Sequence, residues 1–215
     1  MKKDNYLNKI AESKKPFIIY KSNKGFDLFT DFSKKIILSN RNIENFINNS
    51  TKKKLKNKET DLYIGFFGYE ILNNLIDVKI KKQKGLKFPK GIFYKPETKK
   101  KLSNKLNYKP TDNSKSKGIF NINLNKVSYK NIFNKFKKKI KLGETYQIKI
   151  CTKYRKNSHI DALDFFCRLT KSNMAPEAFM INDKDYSIIS CSPENLITKT
   201  KNIISTKPIA GTLKK

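Results

Sequence analysis

The chain has 215 residues, a formal charge of +30 and 31% charged side chains. Hydrophobic residues make up 37% and aromatics 12%, enough apolar material to bury a core in one large domain or two small ones. The charge does not define a specific nucleic-acid reader, because the arginines are Arg41, Arg155 and Arg168 alone, and base recognition leans on the arginine fork.

Phe17 to Tyr20 follows Pro16 as a short apolar strand. Asn42 to Asn49 reads as a helix with Ile43, Phe46 and Ile47 on one side. Leu62 to Tyr69 is the strongest early strand signal, and Gly65 and Gly68 within it mark a bend or a close backbone approach. A short helix follows at Glu70 to Ile76, then a turn at Phe88-Pro89-Lys90-Gly91 and a strand at Ile92 to Tyr94. Lys95 to Gly118, polar and carrying Pro96 and Pro110, reads as a connection. It separates an N-terminal region, 1–110, from a second part, 119–215.

Ser128 is the expected N-cap of a helix whose Tyr129, Ile132, Phe133, Phe136 and Ile140 recur at helical spacing, with Gly143 just past its end. Thr145 to Tyr154 alternates as a strand, with Gln147 on its polar face. Asp161 to Lys171 is a second amphipathic helix. Ala178 to Ile181 and Tyr186 to Ser190 form a hairpin, and Asn195 to Thr200 with Ile203 to Lys207 a second one. Helices followed by a run of antiparallel strands indicate an α+β fold.

Lysine is spread along the chain beside abundant Asn and Ile, and Trp is absent, as expected of an A/T-rich coding sequence. A basic nucleic-acid-binding protein is the competing reading from another class. It would cluster its arginines and expose stacking aromatics, whereas the aromatics here sit at core spacing. The field still attracts small anions. Cys151, Cys167 and Cys191 are odd in number and widely spaced, which fits a reducing compartment. No secretory h-region follows Met1, and no apolar run is long enough to span a bilayer, so a soluble cytoplasmic protein is expected.

Three stretches stand out: Gly143-Glu144-Thr145-Tyr146-Gln147, Ser190-Cys191-Ser192-Pro193-Glu194 and Lys207-Pro208-Ile209-Ala210-Gly211-Thr212. Singly, each reads as a cap, a turn and a strand end. Jointly and in this order, with Asp161-Ala162-Leu163-Asp164-Phe165-Phe166 and Arg168-Leu169 between them, residues 128–215 resemble the chorismate-binding domain of the anthranilate synthase component I and aminodeoxychorismate synthase component I family. Gly65-Phe66-Phe67-Gly68-Tyr69-Glu70 resembles that family's N-terminal Gly-x-x-Gly-Tyr segment.

The resemblance implies two packed, largely antiparallel sheets flanked by helices, incomplete in this chain. It also implies a reaction in which a nucleophile adds to chorismate and the ring hydroxyl leaves. Hydroxide leaves poorly without a proton, and the family's acid corresponds to Glu194. Gln147, Ala210, Gly211 and Thr212 correspond to substrate-binding positions. Relatives that add water place a basic lysine where this chain has Gln147, which has no proton to exchange near neutral pH. This position therefore fits an enzyme that receives ammonia, from a glutamine amidotransferase subunit. Ala210 cannot form the covalent adduct made by the lysine of many aminodeoxychorismate synthases, and so favours anthranilate synthase. The short N-terminal part favours the other enzyme.

The family's Mg²⁺ glutamates, catalytic histidine and carboxylate-binding arginine have no counterparts up to Lys215. The chain is accordingly expected to be a fragment of the complete catalytic unit, without the Mg²⁺ ligands.

Overall fold

The computed structural model describes residues 6–52, 62–71, 89–110 and 119–209. They form two compact units, Met1–Lys109 with Ala162–Lys215, and Pro110–Asp161.

The first unit is built on a six-stranded sheet of order β3-β4-β2-β1-β7-β8, antiparallel throughout. Its strands are β1 (Phe17–Ser22), β2 (Gly25–Ile37), β3 (Ile64–Phe67), β4 (Gly91–Leu102), β7 (Glu177–Asn182) and β8 (Ser187–Ser192). Alternation along the strands separates two cores. Phe17, Ile19, Phe26, Leu28, Ala178 and Met180 face helix α1 (Tyr6–Ser13) through Leu7, and helix α4 (Ala162–Ser172) through Leu163, Phe166 and Cys167. Ile18, Phe29, Ile92, Tyr94 and Ile181 pack on the opposite face with Ile64, Phe66, Phe179, Tyr186 and Ile188. Helix α2 (Ile43–Lys52) seals a third cluster through Ile43, with Leu38 and Ile71.

The second face fixes the curvature of the sheet. Strands β4 and β8 stand four places apart, a separation of about 19 Å across a flat sheet. Yet the hydroxyls of Tyr94 on β4 and Tyr186, the residue just before β8, are 3.4 Å apart. The sheet must therefore curl. Asp183, in the β7–β8 turn, holds the closure together. Its Oδ2 accepts from the Tyr94 hydroxyl and from Lys35 Nζ of β2 at 2.5 Å. Its Oδ1 accepts from the Lys184 amide at 2.8 Å. Tyr94 is 2% exposed and Asp183 8%. Burial works against the charged carboxylate, but the bonds from Lys35, Tyr94 and the Lys184 amide outweigh it and hold the Asp183 carboxyl below its ordinary range. Burial, and then the bond to that carboxylate, push the Tyr94 phenol far up.

In the second unit, helix α3 (Lys126–Lys141) precedes a loop that returns to a two-residue pairing of β5 (Asn121–Ile122) with β6 (Tyr154–Arg155). The N-cap of α3 is Asn125 rather than Ser128, and its side chain accepts from the Ser128 amide at 2.8 Å. The C-terminal end follows expectation. Gly143 has φ 74°, its N–H reaches the Ile140 carbonyl at 3.1 Å, and the Glu144 N–H reaches Lys139 at 3.0 Å. Both bonds belong to a Schellman motif, which needs the left-handed residue that glycine supplies without strain.

Several elements differ from the sequence reading. Helix α1 and the 13-residue β2 carry weak local signals, because Asp27, Asp31 and three polar residues from Ser33 interrupt the β2 alternation. Strand β4 continues eight residues past Tyr94 into the expected connection. Its lysine-rich half is held by backbone pairing to β2, with most of its side chains exposed. The strand expected at 145–154 is absent apart from Tyr154, as no long partner strand pairs with it. A 3₁₀ turn, Tyr69–Ile71, stands where the helix after Gly68 was expected; the remainder of that helix, like 111–118 of the connection, lies outside the described residues. Gly65 does sit at a close approach, since a Cβ there would lie 1.9 Å from the Ile92 carbonyl oxygen.

Asp183→Asn should remove the charge-assisted bonds and lower stability by about 2 kcal/mol near neutral pH. Because the folded carboxyl titrates below its unfolded value of about 3.9, the advantage of the native protein is complete above that pH and is lost as pH falls through the lower folded value. Urea unfolding followed by circular dichroism at pH 7 and pH 3 checks both the loss and its narrowing in acid.

Candidate functional site

Strand β8 delivers the Ser-Pro-Glu stretch to the rim of the sheet. In the β7–β8 ladder Ser192 stands opposite Glu177, and Cys191 opposite Ala178. Cys191 thus points to the helix-covered core, while Ser190 and Ser192 share the other face with Glu177 and Phe179. Pro193 has no N–H and holds the residue before it extended, so the ladder ends there. The Ser192 hydroxyl closes the corner, accepting from the Glu194 amide at 3.2 Å and donating to the Glu194 carbonyl at 3.0 Å.

Beyond the corner, β9 (Asn195–Thr200) and β10 (Ile203–Lys207) pair as a hairpin. Its return brings the third stretch back to the second. Glu194 Oε1 accepts from the Ile209 amide at 3.3 Å. Of the residues singled out in the sequence, Glu194 is therefore exposed and tied to the residue that immediately precedes Ala210. Ala210, Gly211 and Thr212 themselves lie outside the described residues. Gln147 belongs to the second unit, where it is exposed and not on a strand, and its carbonyl accepts from the Thr145 hydroxyl at 3.3 Å.

A further side-chain relay lies beneath the corner. Tyr20 of β1 donates to Glu177 Oε2 at 2.5 Å, and Asn195 Nδ2 donates to Glu177 Oε1 at 3.0 Å. Burial, and then the hydrogen bond and negative charge of Glu177, push the Tyr20 phenol up to about 12. The sequence offered no signal for this relay, because Tyr20 and Glu177 are 157 positions apart. Burial also raises the Cys191 thiol above its ordinary range.

The described residues do not form a Mg²⁺ site. No three His, Cys, Asp or Glu side chains among them are grouped to hold a metal ion. The buried carboxylate oxygen left without a partner among them is Asp27 Oδ1, and the Oδ2 beside it already faces Lys99 at 2.9 Å.

A curled antiparallel sheet with helices against one face, carrying a Ser-Pro-Glu corner bonded to a Pro-Ile strand exit, defines an α+β protein with its candidate site at the sheet rim. The chain belongs to the family of chorismate binding enzymes, whose family model matches residues 5–215. It is 34% identical over 119 residues to anthranilate synthase component 1 of Buchnera aphidicola subsp. Rhopalosiphum padi, covering 54% of this chain and 23% of that protein. To the protein of the same name from Buchnera aphidicola subsp. Schizaphis graminum it is 30% identical over 145 residues, covering 66% of this chain and 27% of that one. To aminodeoxychorismate synthase component 1 of Salmonella typhimurium it is 30% identical over 91 residues, 42% of this chain and 20% of that one. The chain thus spans between 20% and 27% of the length of these curated relatives. Among the described residues, no helix is long and apolar enough to cross a membrane.

The register makes a direct prediction for the three thiols. Exposed Cys151 should react first with a maleimide at pH 7.5, Cys191 more slowly, and buried Cys167 last. Peptide mass spectrometry over a time course reads the order. A one-residue slip of β8 would turn Cys191 to the other face and alter its exposure.

Proposed function

We propose that this chain is part of an ammonia-using chorismate enzyme of the anthranilate synthase component I type, in which Glu194 protonates the departing ring hydroxyl. The observation that carries the reading is the bond from the Ile209 amide to Glu194 Oε1. It joins, at a carboxylate, two stretches whose joint occurrence marks the chorismate chemistry. Ammonia attacks the ring carbon ortho to the carboxylate, the C–O bond to the ring hydroxyl breaks, and the Glu194 proton leaves with that oxygen as water. Loss of pyruvate then gives anthranilate. Gln147 leaves the nucleophile unionised by any protein base, which suits ammonia rather than water. Ala210, Gly211 and Thr212 line the ring, and Ala210 offers no amine to form a covalent adduct.

Mg²⁺, a glutamine amidotransferase subunit as the ammonia source, a second sheet packed on the first, and a cytoplasmic location complete this reading as the family resemblance implies them. The similarity to an aminodeoxychorismate synthase component 1 supports para-amination of chorismate as the second reading. The two are separated by the product, anthranilate against 4-amino-4-deoxychorismate.

In an active enzyme carrying this sequence, Glu194→Gln should slow the chemical step by roughly 10²–10⁴-fold, the range for loss of a general acid, with a far smaller change in KM. Anthranilate fluorescence at saturating chorismate and ammonia measures it. Near-normal turnover would remove Glu194 from the acid role, and a para-aminated product would decide for the second reading.

A further inference from the structure

We propose that Glu177 is a positioning residue for Glu194, clamping the Asn195 side of the Ser-Pro-Glu corner to Tyr20 in the middle of the sheet. The inference rests on the reading of Glu194 as the group that acts on the substrate.

The two oxygens of Glu177 are divided between two donors. Oε2 takes the Tyr20 hydroxyl at 2.5 Å and Oε1 takes Asn195 Nδ2 at 3.0 Å. A planar carboxylate with both oxygens occupied holds each partner at a set distance and angle. Asn195 is the residue after Glu194, and its own Oδ1 accepts from the Thr198 hydroxyl at 2.9 Å, so the amide cannot swing freely. On the other side of the corner, Ser192 stands directly opposite Glu177 in the β7–β8 ladder. The residues flanking Pro193-Glu194 are thus both referred to Glu177, one through the backbone ladder and one through the side chain.

Tyr20 supplies the fixed end. It lies on β1, paired with β2 on one side and β7 on the other. Its phenol, pushed up to about 12, keeps its proton and donates across the whole range in which a carboxyl acid would work. An exposed glutamate at the open end of a two-stranded hairpin would otherwise sample many directions, and a general acid must be held within hydrogen-bond reach of the oxygen it protonates.

The test reads the geometry of Glu194 without chorismate turnover. In the ¹⁵N-labelled 215-residue protein the Ile209 amide shift is followed against pH, and the step that disappears in Glu194→Gln is assigned to the Glu194 carboxyl. Glu177→Ala should lose most of that step. Glu177→Gln should keep it, because its Oε1 still accepts from Asn195 while its Nε2 donates to the Tyr20 oxygen. Tyr20→Phe should reduce it. A full-sized step in a folded Glu177→Ala protein overturns the proposal. If circular dichroism shows Glu177→Ala unfolded, Tyr20→Phe decides, and an undiminished step there overturns it equally. Normal turnover in Glu194→Gln is a separate outcome: it removes the functional reading and leaves the clamp standing or falling on the Ile209 titration alone.

Discussion

A single carboxylate in the β7–β8 turn holds the curl of the sheet. Asp183 brings a cation from β2 and a phenol from β4 to one oxygen, and through them ties together strands that a flat sheet would keep far apart. A buried charge of this kind stabilises only when its partners are all in place, since removing it from water is costly. Here the backbone supplies the remaining bond through Lys184, and the ring of Tyr94 lies 5.6 Å from the same lysine ammonium. The hairpin β7–β8 is then fixed at both ends, at the turn by Asp183 and at the rim by Glu177 and Tyr20. The candidate acid sits just beyond the second anchor.

What the sequence revealed divides along the range of the forces involved. Hairpin β9–β10 agrees with its sequence reading residue for residue, because the turn at Lys201-Asn202 and the flanking alternation are local. The end of α3 at Gly143 was legible for the same reason. Its start was displaced by three residues, since Asn125 and Ser128 are both good caps and only the backbone shows which carbonyl begins the ladder. Strands β2 and β4 were hidden or cut short because much of their support is pairing with each other. Conversely, 145–154 had the alternation of a strand without a long partner to complete it.

The candidate site shows the same division. Glu194 could be named from a five-residue motif. That its carboxylate meets the Ile209 amide depends on the hairpin folding back, which the positions of the two strands imply only in outline. Tyr20 and Glu177 could not have been named at all. A tyrosine in an apolar strand and a glutamate after Pro176 carry no chemistry until β1 and β7 are adjacent. The alternation of 145–154 placed Gln147 on the polar side of a strand, and the structure instead gives an exposed loop position in the second unit.

In a chain of the chorismate binding family, the Glu194 carboxyl group lies at the sheet rim with the Ile209 amide on one oxygen, and the residue after it, Asn195, is bonded to the Glu177 carboxylate to which Tyr20 also donates. The most direct measurement is a crystal structure of an active enzyme carrying this sequence with chorismate bound. A Glu194 carboxylate oxygen is expected within hydrogen-bond reach, about 2.6–3.2 Å, of the departing ring hydroxyl, with Ile209 still bonded to the other side of that carboxyl group. A chorismate ring seated away from the Ser192-to-Asn195 corner, or turned so that another side chain faces its hydroxyl, would contradict it.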